Sequence, residues 1–381
     1  MAIKVLILSC NTGGGHNAAG QAVYEELCAR GVECEFADAL AMASPAVSQK
    51  VSDGYVFITT KAPEVFKLLY KAGGAVSRAN RLKHKSPVYF VNKLYADKLQ
   101  AYIESNGFDV VVMPHLFPAE AMTVLKRQGA LAGVRTVAVG TDYTCIPFWE
   151  ETDPDWFVIP HADLAEEFAG RGIPAEKLLP LGIPVKRGFR EPEDKAAARA
   201  ALGLPEGGPL YLVMTGSMGF GNLESLLEAV AREGTPAAVL CGSNDEMRER
   251  LERKFAAASG LHFRGYTREA HRYMAACDVL FTKPGGLTST EAAAVRIPVV
   301  HTSPIPGCET LNARFFAERG MSVVGEDAEK AVRAAAELAC PGAARDRMLA
   351  AQAAHVRRET CGEICDLIAR LGAEGASMPC L

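Results

Sequence analysis

The sequence lacks any apolar run approaching the ~18 residues that carry a helix across a bilayer. Its first apolar stretch, Met1 to Asn11, is short, with neither a charged leader nor a small-residue cleavage site, so no export signal is read. Cys-x-x-Cys pairs are absent, and the 11 cysteines are an odd number. These features point to reduced thiols in a cytoplasmic protein and away from a disulfide framework or a structural zinc site. An excess of positive charge is missing too. The 41 Lys and Arg face 45 Asp and Glu, for a formal net charge of −4, which argues against a general nucleic-acid binder. No self-similar period suggests a solenoid, and no low-complexity bias suggests disorder. What remains is a globular chain, 49% hydrophobic and 23% charged. Its 381 residues suit two or three domains at a prior of about 150 residues each.

Short β-branched or apolar runs alternate with helix-like segments. In the first half, Ile3–Leu8, Glu33–Ala37, Asp109–Met113, Arg135–Val139 and Trp156–Ile159 read as strands. A helix-like stretch from Ala18 to Arg30 follows the first of them and stops at Gly31. The pattern restarts with strands at Leu210–Met214, Ala237–Cys241, Val279–Phe281, Pro298–His301 and Ser322–Val324. Helices are read at Leu223–Arg232, Glu246–Ala258 and Thr290–Val295. Continuous apolar strands are those of a parallel sheet covered on both faces. The expected class is α/β, with two doubly wound Rossmann-like domains facing a cleft. Their expected extents are 1–185 and 186–345, with a C-terminal helix over 346–371 that packs back on the first domain.

The stretch 55–98 differs in composition. From Lys61 to Lys98 it holds nine Lys or Arg against Glu64 and Asp97, interleaved with Phe66, Tyr70, Tyr89, Phe90 and Tyr95. Such a segment either docks on an anionic membrane surface or is a helical insertion with a solvated basic face.

Four polar, glycine-bearing stretches follow strands. Ser9-Cys-Asn-Thr-Gly-Gly-Gly-His16 opens the first helix; Gly14 and Gly15 let a ligand approach the backbone. His16 then sits where the helix N-terminus disfavours the imidazolium, leaving a neutral ring able to accept a proton, or else the stretch is only a turn. Thr215-Gly-Ser-Met-Gly-Phe-Gly221 offers Gly216 and Ser217 as an anion-binding turn. Lys283-Pro-Gly-Gly-Leu-Thr-Ser-Thr-Glu291 places Gly285 and Gly286 at another helix start. Glu291 suits a pair of ribose hydroxyls, or caps the helix with Thr288. Pro304-Ile-Pro-Gly-Cys-Glu-Thr-Leu-Asn312 presents Glu309 and Asn312, types that suit sugar hydroxyls and helix caps alike. His115 and Asp142 also follow strands and are candidates for the acceptor side. His161, His271, His301 and His355 have no partner spacing and read as structural, as does Cys361-x-x-x-Cys365. None of these glycine-bearing stretches holds an Asp-x-Asp pair for a metal, so no metal and no cofactor beyond the co-substrate are expected.

Taken together, Ser9–His16, Lys283–Glu291 and Pro304–Asn312 resemble the motifs of the processive diacylglycerol glycosyltransferases and monogalactosyldiacylglycerol synthases. These are inverting enzymes of the GT-B fold, and the resemblance runs from about residue 3 to residue 370. It implies that His16 is the catalytic base, that Glu291 binds the nucleotide ribose, and that Glu309 and Asn312 hold the donor sugar and phosphates. It further implies that Tyr266, in Gly265-Tyr-Thr267, lies against the base. Two positions depart from the pattern: Cys308 stands where the family has Gln, and Cys145 where it often has His. The implied activity is transfer of a hexose from a UDP-sugar to the hydroxyl of a membrane lipid, diacylglycerol first among them, by a peripheral protein on the inner face of the cell membrane. A UDP-N-acetylglucosamine-dependent transferase acting on another lipid-linked acceptor, a UDP-sugar 2-epimerase and a non-catalytic UDP-sugar sensor remain as alternatives.

Overall fold

The computed structural model describes residues 3–11, 14–44, 46, 48–50, 53–54, 92, 95–214, 223–258 and 260–376. Of the basic stretch 55–98, only residues 92 and 95–98 are described, and the turn at 215–221 lies outside the described residues. The chain divides into two compact units, Met1–Lys186 with Arg358–Leu381, and Arg187–Arg357.

The first unit is built on a six-stranded sheet in the order β2-β1-β3-β4-β5-β6. Its strands are β1 (Lys4–Ser9), β2 (Glu33–Asp38), β3 (Val110–Met113), β4 (Arg135–Val139), β5 (Trp156–Val158) and β6 (Leu178–Leu179). Every pairing is parallel. Val5 to Ser9 and all of β3 are buried, as an apolar strand covered on both faces requires. Ile7 pairs with Val112, which pairs with Val137, so β1, β3 and β4 end near one level. The strand order changes direction between β1 and β3, the kind of crevice where open α/β sheets take ligands.

The first helix, Gly14–Ala29, begins four residues earlier than its sequence suggests. Glycine is a poor helix former, but here packing sets the start. A Cβ on Gly20 would lie 3.0 Å from the Phe36 ring and 3.1 Å from both Ile7 and Pro114. The helix therefore rides directly on β1 and on Pro114. Its far end is closed by Gly31 at φ 74°, a left-handed turn that glycine adopts without strain.

The second unit repeats the plan with β7 (Tyr211–Met214), β8 (Ala237–Leu240), β9 (Leu261–Arg264), β10 (Val279–Thr282), β11 (Val299–His301) and β12 (Val323–Val324). Their order is β12-β11-β10-β7-β8-β9, again all parallel, with the change of direction between β7 and β10. Tyr211, Phe281, Leu227 and Val230 lie in its core. β6 and β9 carry no clear apolar signature: β6 has two residues, and β9 reads Leu-His-Phe-Arg at a sheet edge.

The C-terminal stretch expected as one helix is two. Ala343–His355 belongs to the second unit, and Thr360–Ala376 to the first. The latter sets Cys361, Ile364, Cys365, Ile368 and Leu371 into the same core as Val5, Ile7, Val110 and Val137. The Thr360 hydroxyl donates to the Leu181 carbonyl at 2.7 Å. Among the described residues, no helix is long and apolar enough to cross a membrane.

Candidate functional site

His16 stands in the first turn of Gly14–Ala29, just past the carboxyl end of β1. Its Nδ1 lies 3.0 Å from the Pro114 carbonyl oxygen and 2.7 Å from Thr141 Oγ1. Pro114 follows β3 and Thr141 follows β4, so three neighbouring strands deliver three groups to one edge of the sheet, at its change of direction. A carbonyl oxygen only accepts. Nδ1 therefore carries the proton and donates to Pro114, with Thr141 Oγ1 as a second acceptor, and Nε2 keeps its lone pair. Burial pushes the ring pKa below its ordinary 6.5, against opposing pulls from the Asp142 charge and the Pro114 bond. The ring is thus neutral near pH 7 with one basic nitrogen available.

His115 is buried beside it. Its Nδ1 accepts the Phe117 N–H at 3.1 Å, capping the helix Leu116–Arg127 in the manner of an N-cap side chain. Its ring meets His16 edge-on, with centroids 4.6 Å apart and an interplanar angle of 79°. Burial, then the neighbouring His16, hold its pKa well below the usual value. His115 is therefore a neutral cap and packing partner of the first ring. Asp142 is half-buried and acts on His16 through its charge; the described hydrogen bonds of His16 go to Pro114 and Thr141. Sequence reasoning picked out Asp142 and passed over Thr141, although both follow β4. The Thr141 loop is pinned further on, where Glu167 Oε1 accepts from Thr144 Oγ1 at 2.6 Å and from the Cys145 N–H at 2.9 Å. Cys145 is fully buried, so its thiol faces the protein interior.

In the second unit, Lys283, Pro284 and Gly285 follow β10 and lead into the helix Gly286–Val295. Gly285 is the N-cap and supplies no side-chain bond, which leaves the first-turn N–H groups without a side-chain cap, an arrangement suited to an anion. Thr288 lies within the first turn, so it does not cap the helix as the sequence alternative had it. Glu291 is one turn further along and buried. Lys283 Nζ lies 2.7 Å from Glu309 Oε1, and Glu309 Oε2 accepts the Ile305 N–H at 2.9 Å. The Glu309 carboxylate thus ties the turn after β10 to the turn after β11. Asn312, fully buried, donates to the Pro284 carbonyl at 3.1 Å, bracing the same turn from below. Gly307, at φ 121°, caps the helix Cys308–Glu318 in a conformation that L side chains rarely adopt. A cavity of about 700 Å³, lined in part by Met214, Lys283, Thr302, Ser303 and Glu326, opens at the carboxyl edge of this sheet. Tyr266, past the end of β9, is 69% exposed. Gly216 and Ser217 lie outside the described residues. Gly14, Gly15 and His16 belong to the first unit. Gly285, Gly286, Thr288, Glu291, Glu309, Asn312 and Tyr266 belong to the second.

Residues 16–185 match the family model for monogalactosyldiacylglycerol (MGDG) synthase, and residues 209–340 the model for glycosyl transferases group 1. A processive diacylglycerol beta-glucosyltransferase of Bacillus cytotoxicus is 26% identical over 331 residues, spanning 86% of this chain and 83% of that protein. Among solved structures, MurG of Acinetobacter baumannii superposes with a TM-score of 0.60 at 14% identity, over 97% of this chain and 99% of that one. MnaA of S. aureus, solved with UDP, gives a TM-score of 0.64 at 13% identity, over 96% of each chain. The fold is GT-B, with two doubly wound α/β units.

Proposed function

We propose, from the premise that this chain belongs with the processive diacylglycerol glycosyltransferases and monogalactosyldiacylglycerol synthases, that it moves a hexose from a UDP-sugar to the hydroxyl of diacylglycerol with inversion at the anomeric carbon. The observation that carries this reading is the His16 ring, neutral and held at Nδ1 by Pro114 and Thr141 with Nε2 left basic. Nε2 takes the proton of the acceptor hydroxyl as its oxygen bonds to the anomeric carbon. The bond from that carbon to the UDP oxygen breaks, and UDP leaves with the electron pair. Assistance by such a base is worth about 10²–10⁴-fold.

Donor binding falls to the second unit. First-turn N–H groups behind Gly285 and Gly286, with the Lys283 ammonium, answer the charge of the departing diphosphate, joined by Gly216 and Ser217. Glu291 takes the ribose hydroxyls, and Tyr266 offers an exposed ring to the uracil. Glu309, held by Lys283 and Ile305, keeps lone pairs for the sugar hydroxyls, a role shared with Thr288 and Asn312. Gly14 and Gly15 bring bare backbone to the reacting centre. His115 and Asp142 line the acceptor side. The net-positive aromatic stretch 55–98 supports docking on an anionic membrane surface, and with it a peripheral position on the inner face of the cell membrane. Salt weakens such docking by screening. No metal takes part in this scheme.

The test is His16→Ala with diacylglycerol vesicles and a panel of UDP-sugars. Turnover should fall by about 10²–10⁴-fold while UDP binding, read by calorimetry, stays within about twofold. A variant that turns over at the unaltered rate would remove His16 from the mechanism.

A further inference from the structure

Resting on the reading above, we infer that Thr141, rather than its neighbour Asp142, is the positioning residue that aims His16. Two oxygens meet Nδ1, the Pro114 carbonyl at 3.0 Å and Thr141 Oγ1 at 2.7 Å, and they come from different strands. The carbonyl alone fixes the tautomer. It leaves the ring free to rock about that single contact, because a lone acceptor constrains distance better than plane. The hydroxyl of Thr141 is the shorter contact and supplies the second constraint.

Thr141 is itself held. It is 6% exposed, the preceding Gly140 N–H donates to the Val158 carbonyl at 2.9 Å, and three residues on, Glu167 clasps Thr144 and Cys145. Asp142 acts on the ring through its charge, and the described hydrogen bonds of Nδ1 go to Pro114 and Thr141. Among the described residues, the titratable groups coupled electrostatically to His16 are Asp142 and the neutral His115. When Nε2 takes the proton from the acceptor, Nδ1–H becomes part of an imidazolium and its bonds to both oxygens strengthen. Neither oxygen receives the proton. Thr141 thus acts on the step that moves the proton and leaves donor binding to the other unit.

The experiment compares Thr141→Val, Thr141→Ser and Asp142→Asn in the full chain, reading kcat, donor KM and the pH profile. Loss of one hydrogen bond to a charged group corresponds to roughly 10–100-fold, so Thr141→Val should lose that much in kcat with donor KM unchanged. Thr141→Ser should restore kcat to within about threefold. Asp142→Asn should cost less in kcat than Thr141→Val. It should also move the acid limb to lower pH, because the carboxylate that favours the charged ring is gone. Equal kcat for Thr141→Val and the unaltered chain, or a greater loss for Asp142→Asn than for Thr141→Val, overturns the assignment.

A second readout is independent of turnover. The Nδ1–H proton of His16 should exchange slowly with water in the unaltered chain and in Thr141→Ser, and faster in Thr141→Val. Unaltered exchange in Thr141→Val also overturns it. If the unaltered chain transfers no hexose to diacylglycerol, the functional reading fails, and this exchange measurement still decides the role of Thr141.

Discussion

An imidazole works as a base only when the nitrogen facing the substrate holds its lone pair, and a carbonyl oxygen at the other nitrogen is enough to ensure that. His16 was legible in the sequence because three glycines and a histidine directly follow an apolar strand. Its partners were not, since Pro114 and Thr141 lie 98 and 125 residues downstream and only the parallel register of β1, β3 and β4 brings them level. His301 illustrates the opposite outcome. Read as structural for want of a partner spacing, it is fully buried, with Ser289 Oγ 2.9 Å from Nε2 and Ser322 Oγ 3.1 Å from Nδ1. Burial lowers its pKa to about 3. The unfolded chain takes up a proton on this residue near the ordinary 6.5, while the folded one does not. The stability it contributes is therefore complete above that pH and is lost as pH falls toward 3, by about 1.4 kcal/mol per pH unit. Ring NMR should find His301 uncharged at pH 5, and a ring titrating near pH 6.5 would contradict its burial.

At the scale of elements, helix starts were the hardest features to read. Both Gly14–Ala29 and Gly286–Val295 begin at glycines, where propensity says loop and packing says helix. The same misreading hid the fact that Thr288 lies inside its helix. The reading of Glu291 as a capping acid failed for this reason, whereas the glycine-bearing turn after β10 was visible as a break after an apolar strand. The C-terminal stretch shows a different limit. Helical composition continues from Ala343 to Leu371, but nothing local says that the two halves serve different cores. Thr360–Ala376 contributes Ile364, Ile368 and Leu371 to the first unit, although it lies at the far end of the chain. Removing residues 358–381 should expose that apolar face at about 1.5–3 kcal/mol for each large side chain. Limited proteolysis is expected to degrade the first unit of the truncated chain rapidly and to leave 187–357 protected. Equal resistance of both units would refute this dependence.

For the whole molecule, alternation of apolar strands and helices was enough to read two doubly wound parallel sheets, because a strand buried on both faces leaves a continuous apolar run. The strand orders were not readable, nor was the change of direction between β1 and β3 or between β7 and β10, which sets where each candidate binding edge lies. A candidate site falls at each of those changes of direction, His16 in one unit and the Gly285–Gly286 helix start in the other. Under the proposed function, an imidazole base and a diphosphate leaving group require one displacement, with the acceptor oxygen entering opposite the departing UDP. The most direct measurement is the anomeric configuration of the glycolipid formed from an α-linked UDP-hexose and diacylglycerol vesicles, read from the one-bond carbon–hydrogen coupling at the anomeric centre. A β-linked product agrees with a single inverting displacement assisted by His16; an α-linked product, or free hexose in place of glycolipid, contradicts it.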